Sequence, residues 1–428
     1  MNRRILHLAV PSIISNITVP LLGLVDVAIT GHMGETRYMA AIAVGSMMFN
    51  IIYWMFSFLR FGTGGLTAQL YGAKGNVAHT LVRSSAIAVT VAATLLAVQI
   101  PLFRLAVWFI NPEAEIIDTI HTYYNICIWG TIPSLLLYTF TGWFVGMQNT
   151  RAPMVISIMQ NIVNICLSCF FVYVCGMKIE GVALGTLTAQ WVGVLMACCI
   201  LYSKYRNVLR GVSIKKCICQ KVDIDGASSV NVTLFIRTLF LIAVNLYFIE
   251  AGARGGAVIL AVNSVLMQMF ILYTYVMDGF AFAAEALCGR YHGAGDKQNF
   301  DRAMRGVWIW SLLLTACYTA AYAFGGEQFL AMLTDDAAIR SAATEYLPWA
   351  AAIPLCGVAA FVWDGVFVGI TMTLGMLWGT FGGAVAFFLI YILLYPTLHN
   401  HALWMAFNAY LLMRGVVQHI IYLISRSR

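Results

Sequence analysis

Twelve apolar segments, each long enough to cross a lipid bilayer, follow one another along this chain of 428 residues. A bilayer core about 30 Å thick needs roughly 20 apolar residues per helix. Only 10% of the residues are charged, against about a quarter in a soluble domain. The sequence therefore predicts an all-α polytopic membrane protein, with spans at residues 5–30, 40–70, 81–110, 118–146, 152–176, 181–203, 229–250, 257–288, 303–325, 338–369, 373–396 and 401–424.

The basic residues between the spans predict the orientation of the chain. Most of the 25 Lys and Arg residues lie in segments on the same side as both ends of the chain, including the basic stretch 204–228. Positively charged loops stay on the cytoplasmic side of a membrane. We therefore expect a monomeric, multi-pass protein of the cell membrane with both termini in the cytoplasm and membrane lipids around it. The same sorting of charge argues against a nucleic-acid partner.

The chain contains an internal repeat that predicts two lobes, residues 1–203 and 229–428, joined by the linker 204–228. Short motifs recur in order at offsets of 218 to 223 residues: 43–46 with 261–264, 71–73 with 292–294, 132–133 with 353–354, 144–146 with 367–369, and 183–184 with 402–403. Because each set has six spans, both sets have the same orientation. A pseudo-two-fold axis along the membrane normal should relate them, as in the parallel-repeat secondary transporters.

Asp26 is a carboxylate inside the first apolar span. A charged Asp at the centre of a bilayer costs roughly 2.5–3.5 kcal/mol on insertion scales, so such residues usually have a function. The same span contains Pro11 and Pro20, and each proline removes a backbone hydrogen bond and allows the helix to bend. A carboxylate on a helix that bends is a candidate coupling switch; a structural Asp held by its neighbours is the alternative.

Neutral polar side chains on spans 5 and 6 could surround Asp26. Asn161, Asn164 and Ser168 share one face of span 5, and Thr186 and Gln190 lie one turn apart on span 6. Their oxygens would complete either a proton-binding site or a Na⁺ site. The alternative is that they form hydrogen bonds between helices, worth about 0.6 kcal/mol each.

The second half carries three acids within its spans. Asp278 and Glu285 are seven residues apart on span 8, and Asp364 stands alone on span 10. Arg60 in span 2 is a candidate partner for Asp278 or Glu285, because an unpaired buried arginine is costly. For Asp364, a coupling role and a structural role at a helix break are equally compatible with the sequence.

Six motifs resemble the multidrug and toxic compound extrusion (MATE) family, in particular its DinF-type branch. They are LVDVAITGHMG at 24–34, FLRFGTGGLTAQLYGA at 58–73, GWFVGMQNTRAPM at 142–154, NIVNI at 161–165, MDGFAFAAEALCGRYHGAGD at 277–296 and WDGVFVGIT at 363–371. The resemblance covers essentially the whole chain. It implies a V-shaped pair of six-helix lobes and export of organic, often cationic, compounds in exchange for H⁺ or Na⁺.

The resemblance also implies a first-lobe cation site made by Asp26, Asn164 and Thr186. The family usually has a carboxylate four residues after the span-5 asparagine, where this chain has Ser168. That departure leaves Asp26 as the only carboxylate of the site and favours H⁺ over tightly held Na⁺. In relatives with coupling in the second lobe, acids on spans 7, 8 and 10 take part, so Glu285 and Asp364 are the candidates here.

The sequence thus predicts a secondary active multidrug antiporter that uses no cofactor and no metal beyond a candidate Na⁺ at Asp26. Its partners would be small organic substrates. A flippase or exporter of a lipid-linked or other amphipathic metabolite is the alternative. Such a protein would need a cationic central groove, and the sequence argues mildly against one because Arg60 is the one basic residue well inside a span. An enzyme is disfavoured because no nucleophile–base pair or HExxH motif occurs in the spans. An uncoupled channel or receptor would leave Asp26 unexplained.

Overall fold

The computed structural model describes residues 1–31, 36–210 and 224–427, with the backbone alone at 19–24, 26–28, 30–31, 36 and 224–228. Throughout these residues the secondary structure is helical, and no strand occurs in the described ranges. Eleven segments of the described chain are long and apolar enough to cross a membrane. The first helix, α1 (Asn2–Gly31), covers the first predicted span. The predicted all-α polytopic fold is confirmed.

The chain divides into two compact units. The N-terminal unit is Ile14–Ile224, and the C-terminal unit combines Met1–Ile13 with Asp225–Arg428. The first 13 residues of the chain, which include the start of α1, therefore pack with the second half, whereas the sequence assigned them to the first lobe. Within that unit, Arg4 Nη1 donates to the Tyr291 hydroxyl at 2.8 Å, and Gly306 lies against the Ile5 side chain.

The N-terminal unit contains several spans that are interrupted. Pro101 explains one break: the helix stops at Ala97 and restarts at Gln99, so the proline falls in a first turn, where its missing N–H is tolerated. The helices after α1 are α2 (Thr36–Met55), α3 (Phe58–Gly72), α4 (Val77–Ala97), α5 (Gln99–Ile110), α6 (Ile117–Cys127), α7 (Thr131–Gly146), α8 (Arg151–Cys169) and α9 (Ile179–Leu209). Single 3₁₀ turns flank α6, and a π-helical turn (Phe170–Val174) follows α8.

The C-terminal unit is built from longer, uninterrupted helices. Pro354 shows the difference, because it lies inside a continuous helix while its repeat counterpart Pro133 lies in the first turn of α7. The helices are α10 (Ile224–Arg254), α11 (Ala257–Gly293), α12 (Lys297–Leu333), α13 (Ala337–Gly369), α14 (Thr373–Leu398) and α15 (Asn400–Ser427). Large buried aromatic side chains fill the core of this unit, among them Tyr273, Trp363, Trp404 and Phe407.

The internal repeat is visible in equivalent helix crossings. In the N-terminal unit, a Cβ on Gly142 would lie 2.2 Å from the Arg60 carbonyl oxygen, so α7 touches the backbone of α3. In the C-terminal unit, a Cβ on Gly365 would lie 2.3 Å from the Ala281 carbonyl oxygen, so α13 touches α11 in the same way. Glycine permits such close approach of two backbones.

Backbone conformations at the helix ends repeat as well. Six of the eight residues with positive φ in the described part of the chain form matched pairs: Lys74 (φ 54°) with Gly295 (φ 68°), Gln148 (φ 62°) with Thr371 (φ 54°), and Gly176 (φ 68°) with His399 (φ 45°). Each pair is separated by 221 or 223 residues, which agrees with the offsets of the sequence motifs. The two halves therefore share helix termini as well as helix crossings, although their sequences have diverged at these positions.

Candidate functional site

Asn164 and Thr186, two members of the predicted first-lobe site, meet between α8 and α9. Asn164 Nδ2 donates to Thr186 Oγ1 at 3.0 Å, and the Asn164 side chain is buried. Because the amide nitrogen is occupied by Thr186, Asn164 Oδ1 is left as an acceptor. Among the described side chains none donates a hydrogen bond to it. This buried oxygen fits a ligand that carries a proton or a positive charge.

Ser168 lies one turn beyond Asn164 at the closest approach of α8 and α9. A Cβ on Gly185 would lie 2.4 Å from Ser168 Oγ and 2.9 Å from the Ser168 backbone nitrogen. The serine is fully buried, and its hydroxyl has no hydrogen-bond partner within the described part of the chain. The position therefore combines a small side chain with a second neutral oxygen next to the Asn164–Thr186 pair.

Asn161 and Gln190 contact parts of the chain outside α8 and α9. Asn161 Nδ2 donates to the backbone oxygen of Thr18 at 2.9 Å, which ties α8 to α1. Gln190 packs over Gly130, where a Cβ would lie 1.9 Å from its Oε1 atom. Asn161 therefore joins two helices by a hydrogen bond, whereas Gln190 makes a packing contact and its Oε1 atom has no hydrogen-bond partner among the described residues. A place for both residues beside Asp26 stays a prediction.

The key carboxylate of the predicted site, Asp26, lies outside the residues whose side chains are described, as does Pro20. Pro11 lies in α1 and is buried. The bending roles assigned to these prolines remain predictions, as does the position of Asp26 relative to Asn164 and Thr186. Within the described side chains, no group of three His, Cys, Asp or Glu residues is arranged to hold a metal ion.

Asp364 of α13 is held by side chains from two other helices. Its Oδ2 atom accepts hydrogen bonds from Arg237 Nη2 of α10 and from Arg414 Nη2 of α15, the latter at 2.7 Å. Its Oδ1 atom accepts from Gln418 Nε2 at 2.7 Å. Three helices of the C-terminal unit therefore converge on one carboxylate. We call Asp364, Arg237, Arg414 and Gln418 the Asp364 cluster.

The sequence contained a signal for this cluster. Arg237 and Arg414 both fall in apolar segments, and a membrane-embedded arginine requires an anionic partner. The same requirement that predicts a partner for Arg60 therefore predicts partners for Arg237 and Arg414. Gln418, one turn after Arg414, carried no comparable signal, because a neutral amide is tolerated in many helix contacts.

The remaining charged candidates are buried to different extents. Glu285 is 1% exposed on α11, next to Gly369 of α13, and Asp278 is half-buried on the same helix. Arg60 is buried on α3, with its guanidinium 4.3 Å from the Phe61 ring centroid. Arg60 belongs to the N-terminal unit and the two acids to the C-terminal unit. Their pairing stays a prediction.

Long apolar helices and an internal repeat place this protein in the class of multi-pass membrane proteins built from two similar halves. The sequence profile of the MatE family matches residues 11–170 and 230–392, one match in each half. The chain belongs to the MatE family, as its motifs indicated.

Named relatives and solved structures agree with this membership. DNA damage-inducible protein F of Escherichia coli strain K12 is 33% identical over 413 residues, which are 96% of this chain and 89% of that protein. A probable multidrug resistance protein NorM of Thermotoga maritima is 23% identical over 344 residues, covering 78% of this chain and 73% of its own. A crystal structure of MATE in the bent conformation superposes with a TM-score of 0.88 at 18% identity, covering 99% of this chain and 95% of that one.

Proposed function

We propose that this protein is a secondary active multidrug exporter of the cell membrane that exchanges amphipathic, often cationic, organic compounds for protons. Membership of the MatE family supports the transport role, and the names of relatives such as NorM refer to multidrug resistance. The basic loops support an orientation with both termini in the cytoplasm.

The observation that carries the coupling proposal is the buried Asn164–Thr186 hydrogen bond. It leaves Asn164 Oδ1 as an acceptor, with the Ser168 hydroxyl one turn away. A protonated Asp26 is a hydrogen-bond donor that such an oxygen would accept, whereas an ionised Asp26 is an acceptor only. Loss and uptake of one proton would therefore change how α1 interacts with α8 and α9.

The residue at position 168 favours the proton over Na⁺. Hard cations bind best where several oxygens, including carboxylates, surround them. Here Ser168 is neutral, and the close approach of Gly185 leaves little room for a longer acidic side chain. Asp26 would be the single carboxylate of this site, and one carboxylate suffices to carry one proton.

The proposal is tested with purified protein in liposomes. A pH gradient or a Na⁺ gradient is imposed separately, and movement of a fluorescent organic cation is followed. We expect transport under the pH gradient, loss of this transport in Asp26→Asn, and a several-fold reduction in Asn164→Ala. Asp118→Asn is the matched control, because Asp118 is exposed on α6. Undiminished pH-driven transport by Asp26→Asn would refute the first-lobe mechanism.

The alternative of a flippase for a lipid-linked or amphipathic metabolite required a cationic path. The C-terminal unit does contain two further buried arginines, but Arg237 and Arg414 both donate to Asp364. They are therefore engaged by a carboxylate of the protein. In the same liposomes, movement of a labelled lipid with no response to either ion gradient would support the flippase instead.

A further inference from the structure

The Asp364 cluster places two positive charges on one carboxylate. Both guanidinium groups donate to the same oxygen, Oδ2, while Gln418 occupies Oδ1. The Arg237 and Arg414 side chains are 6% and 7% exposed, and the Asp364 side chain is 16% exposed. In such an environment the charges are only weakly screened by solvent.

The helices around the cluster hold Arg414 in place. Gly383 of α14 lies so close that a Cβ there would be 2.8 Å from Arg414 Cγ and 2.8 Å from the Tyr410 backbone oxygen. One turn earlier, a Cβ on Gly379 would be 2.7 Å from Gln418 Cγ. The Tyr410 ring lies 5.3 Å from the Arg414 guanidinium carbon. The glycines of α14 thus form a recess that fits the arginine and the glutamine of α15.

Other ionisable groups near the cluster also act on it. Asp278 of α11 interacts electrostatically with Arg237, and Tyr410 of α15 interacts with both arginines. A third cation that approached Asp364 would meet two fixed positive charges and an oxygen whose hydrogen-bonding positions are already used.

We propose that Arg237 and Arg414 are tethered counter-cations that occupy the place of a mobile coupling ion at Asp364. Ion exchange in the C-terminal unit then does not take place at this carboxylate, although Asp364 is an acid within a membrane span. Arg237 and Arg414 determine the ion specificity of the unit, and Gln418 positions the carboxylate. This inference rests on the proposed function, because it concerns where an ion-coupled exporter exchanges its ion.

The proposal predicts a gain of ion binding when the tethered charges are removed. In the double variant Arg237→Gln and Arg414→Gln, Asp364 would be left with neutral partners and free to bind Na⁺ or a proton. The full-length protein is purified in detergent, and its thermal midpoint is measured across NaCl at constant ionic strength with choline chloride, and across pH. For a chain of 428 residues, a cation that binds only the folded state should raise the thermal midpoint by about 1–2 °C for each tenfold increase in free cation concentration above Kd.

Three variants make the test decisive. The double variant should show a Na⁺ or pH dependence beyond that of the wild type, and adding Asp364→Asn to it should abolish the gain. If the double variant does not fold, Arg237→Gln alone should show a smaller gain of the same kind. A variant that folds and gains no cation dependence overturns the proposal. So does a wild-type cation dependence that disappears in Asp364→Asn but persists in Asp26→Asn.

This readout is independent of transport. Loss of the proposed proton coupling at Asp26 would appear in the liposome assay and would leave the gain in the double variant unchanged. Conversely, absence of the gain would overturn the counter-cation proposal while pH-driven export remained intact. The two proposals therefore fail in different experiments.

Discussion

Replacement of Gly185 by alanine should perturb the candidate ion site without touching Asn164 or Thr186. The added Cβ would lie 2.4 Å from Ser168 Oγ, 2.9 Å from the Ser168 nitrogen and 3.1 Å from its Cα. Rotation of the serine hydroxyl relieves only the first contact. The backbone contacts require α9 to move away from α8, next to the Asn164–Thr186 hydrogen bond.

The expected magnitude follows from three contributions. Overpacking of a well-packed contact costs about 1–3 kcal/mol, and a weakened interhelical hydrogen bond adds about 0.6 kcal/mol. Alanine has a higher helix propensity than glycine, and this difference offsets roughly 1 kcal/mol of the loss in stability. The net effect of Gly185→Ala is a loss of about 0.5–2.5 kcal/mol of stability, together with reduced pH-driven transport.

Gly193→Ala is the matched control, since Gly193 lies eight residues further along α9. Its Cβ would meet the side chain of Gln160 on α8, with the nearest atoms at 2.5 Å, 2.6 Å and 2.8 Å. These atoms lie towards the end of a flexible, half-buried side chain that can move aside. We expect this variant to be neutral or up to about 1 kcal/mol more stable than the wild type.

Thermal unfolding in detergent and pH-driven transport in liposomes measure the two expected effects. The double variant Gly185→Ala with Ser168→Ala should recover part of the stability, because it removes the shortest contact but keeps the backbone contacts. Equal midpoints and equal transport for Gly185→Ala and Gly193→Ala would refute the reasoning that close backbone approach sets the geometry of this site.

Three further predictions use the same purified protein. Gly383→Ala should lower the thermal midpoint because its Cβ meets Arg414 and the backbone of Tyr410, whereas Gly382→Ala, which meets only Val417 at 3.5 Å, should not; equal midpoints would contradict the recess. Gly295→Ala should destabilise by about 1 kcal/mol through its left-handed backbone, while Lys74→Gly at the equivalent position should cause no loss in the same measurement. Hydrogen bonds from the Asn299 side chain and backbone lower the pKa of Asp296 from its ordinary value. Its charge therefore stabilises the folded state above the unfolded pKa, and this contribution is lost as pH falls through the folded pKa. Asp296 caps the N-terminus of α12, where its side chain accepts a hydrogen bond from the Asn299 backbone nitrogen. Asp296→Asn should flatten the acid side of the midpoint–pH curve, and an unchanged curve would contradict this role.

Much of the fold could be predicted from the sequence because the bilayer restricts the possible structures. Backbone groups inside a membrane must be satisfied within each segment, so a long apolar run such as residues 373–396 has few alternatives to a helix. The internal repeat could also be predicted from the sequence. The short motifs at 144–146 and 367–369 mark equivalent helix ends, where Gln148 and Thr371 both adopt left-handed backbone conformations.

The breaks within the spans were harder to predict. Pro133 and Pro354 occupy equivalent positions, yet the first begins a helix and the second lies inside one. The sequence around each proline permits both outcomes. The structure adds a contact that the sequence does not reveal: the buried Tyr273 hydroxyl donates to the Pro354 backbone oxygen at 3.1 Å.

For the candidate sites, the sequence by itself determined which polar residues lie within apolar spans. Each of them is costly to bury in a membrane, so its presence there indicates a role. The sequence identified Asn164 and Thr186, which the structure joins by a hydrogen bond, and it singled out Asp364. Only the tertiary structure decided what Asp364 binds. Arg237 and Arg414 are 127 and 50 residues away along the chain, and no periodicity links positions on three different helices. These residues meet because α10, α13 and α15 pack together and because the glycines of α14 leave room for Arg414. Contacts between residues so far apart along the chain form only when the chain folds.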